Sequence, residues 1–280
     1  MAVSTVKRGL ISASASVVSS LVADRRRRAG LAPPITRAAF LASIPAASSI
    51  LELGPFDAPL MRGAGVAYFD VLDQDGLRQR AIQEGRDPAG CPRIDHVSPT
   101  GDLTVIKTSF DQVFSSHVIE HQHDLVRHLA DVARLMHDGG LYCIIVPDKR
   151  YCFDHFAAET DLADVLEAAD HGPARRVEQA IEHVHFSMAH SSALKHWLGL
   201  HGQPITSGEA AQRLLDEDLH RYRSGEYRDI HASKFTPAGF MSVMTALHGT
   251  GRSPLRPVVV HDTRVGEQEF YAVLAKADRA

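Results

Sequence analysis

Three groups of residues in this 280-residue chain stand where their types and spacing could do chemistry. The first is a pair of carboxylates at the ends of short apolar runs. Glu52 lies in the run 50–53, which stops at Gly54 and Pro55, and Asp70 closes a second run, 66–69. Runs of that length ending at a turn read as buried parallel strands. In an open α/β sheet, ligands bind beyond the carboxyl ends of the strands, where a glycine lets backbone N–H groups approach closely. Pro55 and residues 57–59 stand where later glycines of G-x-G-x-x-G would fall, and no G-x-x-x-x-G-K occurs, so a pyrophosphate cradle is disfavoured. Two carboxylates flanking one turn suit a cationic or hydroxyl-rich ligand, because like charges repel.

The second group is His117-Val-Ile-Glu120-His121, which spells the H-x-x-E-H pattern of a zinc peptidase. Zinc ligation by that pattern needs both histidines on one face of a continuous helix. Here His117 ends a strand and the next helix starts near Asp124, so a zinc hydrolase is disfavoured, and Ser116 and His117 are better read as lining a pocket at the strand tip. The third group follows the fifth strand: Asp148, then Lys149, Arg150, Tyr151, Asp154 and His155, with His183 and His185 further on. A histidine near its unperturbed pKa of about 6.5 would serve as base for a hydroxyl. Asp148 is the alternative base, and His183 with His185 and a carboxylate could hold a divalent ion.

These residues need elements to position them. A short helix over 36–44 presents Phe40, Leu41 and Ile44 on one side. A polar helix is expected over 74–83, a turn-rich break over 85–92, a third strand over 94–97, then Gly101, Asp102 and Leu103. A fourth strand runs over 112–118. Asp124 caps a helix in which Leu125, Leu129, Val132 and Met136 recur at three- and four-residue steps, and Gly139 with Gly140 stops it. The strand 141–146 ends at Pro147. Strand, helix, Gly-Gly, strand is a βαβ unit and implies a parallel sheet. From 155 to about 228 the pattern is helical and polar, too long for a plain connection and suited to a lid or substrate-binding element. Thr236 and Pro237 open another helix, and two strands, 257–262 and 269–275, finish the chain.

Composition sets the bounds. A 44% hydrophobic content with 23% charge fits an ordinary globular chain, and the length allows one large α/β domain with an insertion. A net charge of −4 gives no reason to expect nucleic acid as a partner. Three cysteines are too few for a disulfide framework or a structural zinc site, which points to a reduced, cytoplasmic setting. Lys7 and Arg8 before 9–23 superficially resemble a secretory signal, but five serines dilute the run and arginines follow at 25–28; neither a cleaved signal nor a stable membrane span is expected.

Glu-Leu-Gly-Pro at 52–55 followed by a strand-end Asp at 70 resembles motif I and its acidic partner in class I S-adenosylmethionine (SAM)-dependent methyltransferases. Residues 110–147, with Ser-His-Val-Ile-Glu-His, a helix, His-Asp-Gly-Gly and a strand, closely resemble the corresponding half of those enzymes. Pro-Asp-Lys-Arg-Tyr-Cys-Phe-Asp-His-Phe, 147–156, resembles a bacterial subgroup associated with surface-polysaccharide biosynthesis. His137-Asp138 departs from the Lys or Arg that more often precedes Pro-Gly-Gly there. The resemblance implies an α/β fold: a seven-stranded Rossmann-like sheet with an antiparallel last strand, a helical insertion at about 155–228 after strand 5, a domain over 38–280 and an extension over 1–37. It implies SAM as cofactor, with Glu52, Gly54, Pro55 and Asp57 under the amino-acid moiety, Asp70 on the ribose hydroxyls, Asp102 and Leu103 near the adenine, and Ser116 and His117 lining the donor pocket. His121, Asp148, His155 and His185 are the candidate bases, and no resident metal is expected. The expected reaction is O-methylation of a sugar or glycan intermediate, with a small-molecule or glycan acceptor as partner and a homodimer left open. A methyltransferase-like binding protein without turnover is the rival from another class.

Overall fold

The apolar runs bounded by Gly and Pro become the centre of one seven-stranded sheet. The computed structural model describes residues 24, 26–27, 29–204, 208–226 and 228–277; the expected signal-like stretch at 9–23 lies outside them. The strands are β1 (Ile50–Leu53), β2 (Val66–Asp70), β3 (His96–Val97), β4 (Phe110–Ser116), β5 (Met136–Pro147), β6 (Leu255–His261) and β7 (Glu269–Lys276). Their order is β3-β2-β1-β4-β5-β7-β6, parallel except for β7, which runs antiparallel to both neighbours. Leu51, Val113, Ile144, Val146 and Ala272 are fully buried across the sheet, as expected of strands covered on both faces.

Helices cover both faces. The described helices are α1 (Arg37–Ser43), α2 (Gln74–Gln83), α3 (Leu125–Arg134), α4 (Leu162–His171), α5 (Ala174–Phe186), α6 (Ala193–Trp197), α7 (Glu209–Arg223) and α8 (Pro237–Gly249). Both caps read from the sequence are made, Asp124 accepting from Arg127 N and Thr236 from Gly239 N, and Thr36 caps α1 by accepting from Ala39 N. The helix α3 buries Leu125, Leu129, Val132 and Ala133 against the main core, and α1 packs Phe40 onto Tyr271 on the opposite side. Helices α4 to α7 fill the long interval between β5 and β6, where α5 and α7 share their own apolar cluster around Val177, Ile181 and Leu215. Among the described residues no helix is long and apolar enough to cross a membrane. The three cysteines are free and buried.

Three boundaries differ from the sequence reading. The helix α3 stops at Arg134, because the carbonyl of Leu135 accepts from Phe110 N and Met136 pairs with Phe110 as the first residue of β5. Gly139 and Gly140 therefore do not end a helix; they lie in a register shift of β5, where Gly139 has φ +74° and a Cβ on Gly140 would come within 3.0 Å of the Asp111 carbonyl. The third strand is only two residues long, with Ile94 packed beneath α2 instead. The strand β4 ends at Ser116, because His117 takes a left-handed φ of +55°. Since Leu129 is wholly buried at the centre of α3, Leu129→Ala is expected to lower the unfolding free energy by about 2–5 kcal/mol in urea titrations. A loss below 1 kcal/mol would mean that α3 does not pack as described.

Candidate active site

The carboxyl ends of β1, β2 and β4 face one cavity of about 920 Å³. Its lining includes Glu52, Gly54, Pro55, Asp57, Asp70, Asp102, Leu103, Ser116 and His117, which are all nine residues read from the sequence as donor-binding. His121 lines it too. Asp148, His155 and His185 do not.

Each wall is built locally. At the tip of β1 the chain turns through Gly54, with φ +64°, and a Cβ there would meet Val118 Cγ2 at 2.7 Å. Only glycine fits both the backbone and the approach. Gly54 N–H donates to the Phe69 carbonyl, so it extends the sheet and is not available to a ligand. The two oxygens of Glu52 accept from Leu60 N–H and Met61 N–H at 2.9 Å each, which fastens the following loop over the strand end. Both oxygens of Glu52, expected to serve a ligand as acceptors at the turn, each accept one hydrogen bond from the backbone. Burial nevertheless pushes its pKa up to about 7, with those two hydrogen bonds opposing. Asp57 accepts from Arg86 Nε at 2.8 Å through one oxygen, and its other oxygen is buried without a hydrogen-bond partner among the described residues.

Asp70 ends β2 and accepts from Val71 N–H at 2.7 Å; burial raises its pKa above the usual carboxylate range. Asp102 caps the turn Leu103–Val105 by accepting from Thr104 N–H and Thr104 Oγ1, which lower its pKa. Leu103 is buried beneath it. Beyond β4, His117 Nε2 lies 3.1 Å from Glu269 Oε2. Glu269 is also gripped by the Arg37 guanidinium, with Arg37 Nε 2.8 Å from its Oε1. Burial pushes Glu269 upward, but His117 and Arg37 outweigh it and hold the group near 2. For His117, burial alone would lower the pKa; Glu269 and Glu120 reverse the sign and raise it.

The short turn Ile119–His121 replaces the helix that an H-x-x-E-H peptidase requires, so His117 and His121 do not share a helix face. His121 Nδ1 sits 3.0 Å from Asp229 Oδ1, and Arg80 Nη2 donates to the other Asp229 oxygen at 2.7 Å. Arg37, Arg80, His123, Arg127, Asp229 and Gln268 complete the walls and were not singled out from the sequence. Arg80 and Arg127 lie on polar faces of α2 and α3, where charge is ordinary and carries no signal.

The other candidate bases are engaged elsewhere. Asp148 is fully buried, paired with Arg150 through both oxygens and accepting from Thr263 Oγ1 at 2.5 Å. His155 Nδ1 lies 2.8 Å from the Arg150 carbonyl, and its ring stacks on His201. His185 Nε2 meets Asp218 at 2.9 Å and braces α5 against α7. His183 and His185 point to different carboxylates, Asp154 and Asp218, and so do not form the metal pair considered from the sequence.

A family model described as a methyltransferase domain matches residues 23–205. The chain belongs to the methyltransferase-domain family. No curated protein matches it. Among solved structures, this methyltransferase is similar to an S-adenosylmethionine-dependent methyltransferase from Mesorhizobium loti, at 16% identity and a TM-score of 0.42, over 85% of this chain and 96% of the other. It is similar to the mitomycin 7-O-methyltransferase MmcR at 14% identity and a TM-score of 0.40, over 86% and 53%. An S-adenosylmethionine-dependent methyltransferase from Clostridium acetobutylicum ATCC 824 follows at 8% identity and 0.38, over 92% and 90%.

The elevated pKa of Glu52 sets a pH dependence. Folded Glu52 keeps its proton up to about pH 7, whereas the unfolded chain releases it near 4.5, so the folded state binds more protons in that window and its stability falls as pH rises through it. Glu52→Gln removes this slope. The unfolding free energy of the variant minus that of the parent is expected to rise by about 3 kcal/mol between pH 4.5 and 7.5; a pH-independent difference would contradict the burial of an ionisable Glu52.

Proposed function

We propose that this chain transfers a methyl group from SAM to a hydroxyl of a sugar or glycan intermediate. The observation that carries the reading is the convergence of Asp70, the turn at 101–103 and Ser116 with His117 on one cavity at the carboxyl ends of adjacent parallel strands. Asp70 would accept hydrogen bonds from the ribose hydroxyls, Leu103 would supply an apolar surface for the adenine with Asp102 beside it, and the turn at 54–57 would pass under the amino-acid moiety. The acidic character of the walls suits a cationic donor.

Bound SAM supplies an electrophilic methyl on a sulfonium. The protein's part is to hold the acceptor oxygen in line with that methyl and to draw off the hydroxyl proton. Of the four candidate bases, His121 is the one on the cavity wall, and it is the group we assign to face the acceptor. The sugar or glycan class is supported by the resemblance of residues 147–156 to the polysaccharide-associated subgroup and by the polar histidine and carboxylate lining opposite Asp70. We take 38–280 as the functional unit, with the insertion at 155–228 contributing Pro173 to the cavity and leading into Asp229 at its edge. Free buried thiols fit a cytoplasmic setting.

A ligand bound only by the folded state raises its stability, by about 2.7 kcal/mol at a hundred times its dissociation constant. S-adenosylhomocysteine is therefore expected to raise the melting temperature while NAD does not. Asp70→Ala is expected to abolish that shift with the far-ultraviolet circular dichroism unchanged. A shift that persists in Asp70→Ala removes Asp70 from the donor site, and no shift in the parent chain overturns the donor.

A further inference from the structure

The turn Ile119–His121 carries a carboxylate that the donor site does not use. Glu120 is 1% exposed, and neither of its side-chain oxygens accepts a hydrogen bond among the described residues. An uncompensated carboxylate costs several kcal/mol to bury, so it needs a positive partner. Three imidazoles face it, with His117 Nδ1 3.6 Å and His121 Nε2 and His231 Nε2 each 3.8 Å from Glu120 Oε1, all too far for a hydrogen bond. His117 Nε2 is turned to Glu269, which leaves His121 and His231 as the pair directed at Glu120. Ligand-type atoms of the three residues all fall within 4.8 Å of one another. Two donors held on one zinc ion at about 2.0–2.2 Å in tetrahedral array stand about 3.4 Å apart, so a cation between them would draw the three groups inward from their present spacing of up to 4.8 Å.

The far side of each ring faces a carboxylate, as in metal-bound histidines, and for His231 the contact is a hydrogen bond. His231 Nδ1 is 2.6 Å from Asp154 Oδ2, and His121 Nδ1 is 3.0 Å from Asp229 Oδ1. For His231 the carboxylate hydrogen-bonded at Nδ1 holds the proton there and leaves a lone pair at Nε2, on the side of Glu120. For His121 the Asp229 carboxylate lies beside Nδ1 without a hydrogen bond of good geometry and favours the same tautomer electrostatically. Asp154 is itself buried and held by His183 Nε2 at 3.1 Å. His121 and His231 are oriented edge to face, with centroids 4.8 Å apart.

We propose that Glu120, His121 and His231 form a site for one divalent first-row transition ion, zinc being the test case, at the edge of the cavity. Two histidines and one carboxylate leave coordination positions open. The H-x-x-E-H string thus contributes its glutamate as a ligand, together with one of its histidines, and the third ligand comes from a loop 110 residues away. In a methyltransferase an acceptor oxygen in an open position would have its hydroxyl acidified by the ion, so His121 would then act on the acceptor through the ion as a ligand and not as a free base; that use rests on the donor reading above, whereas occupancy of the site does not. The stacked group His155, His196 and His201 is the structural rival. His155 and His201 lie face to face at 3.8 Å, and His196 Nδ1 is 3.0 Å from His201 Nδ1, so those nitrogens pair with each other.

The test is calorimetric titration of Zn2+ alone into untagged, chelator-stripped full-length protein, with Co2+ absorption as a second readout. One ion is expected to bind, with Co2+ giving a visible band. Glu120→Gln and His231→Gln are each expected to weaken binding by roughly 100-fold, Asp154→Asn by about 10–100-fold, and His196→Ala to leave it unchanged. Circular dichroism and melting temperature of each variant establish folding. Absence of stoichiometric zinc binding in the parent chain overturns the site, as does binding retained in folded Glu120→Gln and His231→Gln but lost in His196→Ala. The S-adenosylhomocysteine shift, read on the same samples, separates the two readings: a shift without zinc binding removes the metal site only, and zinc binding without a shift removes the donor only.

Discussion

A parallel sheet that reverses its order of winding must leave a crevice at the reversal, and this chain is built on that constraint. From β1 the sheet grows outward through β2 and β3 on one side and through β4 and β5 on the other. Right-handed connections then carry the chain away from the carboxyl ends of β1 and β4 in opposite directions. The space between them cannot be filled by either connection. The cavity, the turn at Gly54 and the tip of β4 at Ser116 all follow from it, and residues as distant in sequence as Asp57 and Asp229 line the same walls.

The chemistry around that crevice is a distribution of carboxylates among competing tasks. Glu52 uses both oxygens to hold a loop and carries a raised pKa as the result of its burial. Glu269 meets a histidine and an arginine and stays strongly ionised. Asp154 and Asp229 back two histidine rings. Asp148, placed at a strand end as a base would be, instead closes a buried pair with Arg150 and Thr263. Of the carboxylates at the rim, Asp70 lines the cavity directly, while Glu120 is buried behind His121, the member of its group that reaches the wall.

The parts legible in the sequence were those with local signals. Continuous apolar runs located β1, β2, β5 and β7, those of β1 and β5 ending in Gly54 and Pro147, and caps such as Asp124 and Thr236 located helix starts, because those signals depend only on neighbours along the chain. The strand-end acid and glycine residues reached the cavity for the same reason: position at a carboxyl edge is a consequence of strand direction. Long-range pairing was not legible. Nothing in Pro147-Asp148-Lys149-Arg150 shows that Thr263 will claim Asp148, and His231 sits in a loop with no periodicity. The Gly139-Gly140 pair read as a helix stop because the register shift that actually requires it involves Asp111 across the sheet.

The convergence of the strand ends on one ligand is tested most directly by hydrogen exchange of the folded chain with and without S-adenosylhomocysteine, since bound backbone opens less often. Peptides covering 53–58, 70–73, 100–105 and 116–122 are expected to slow together, while β6 at the far edge of the sheet is unchanged. Protection confined to one of those segments, or appearing only in the insertion, would contradict a single shared site.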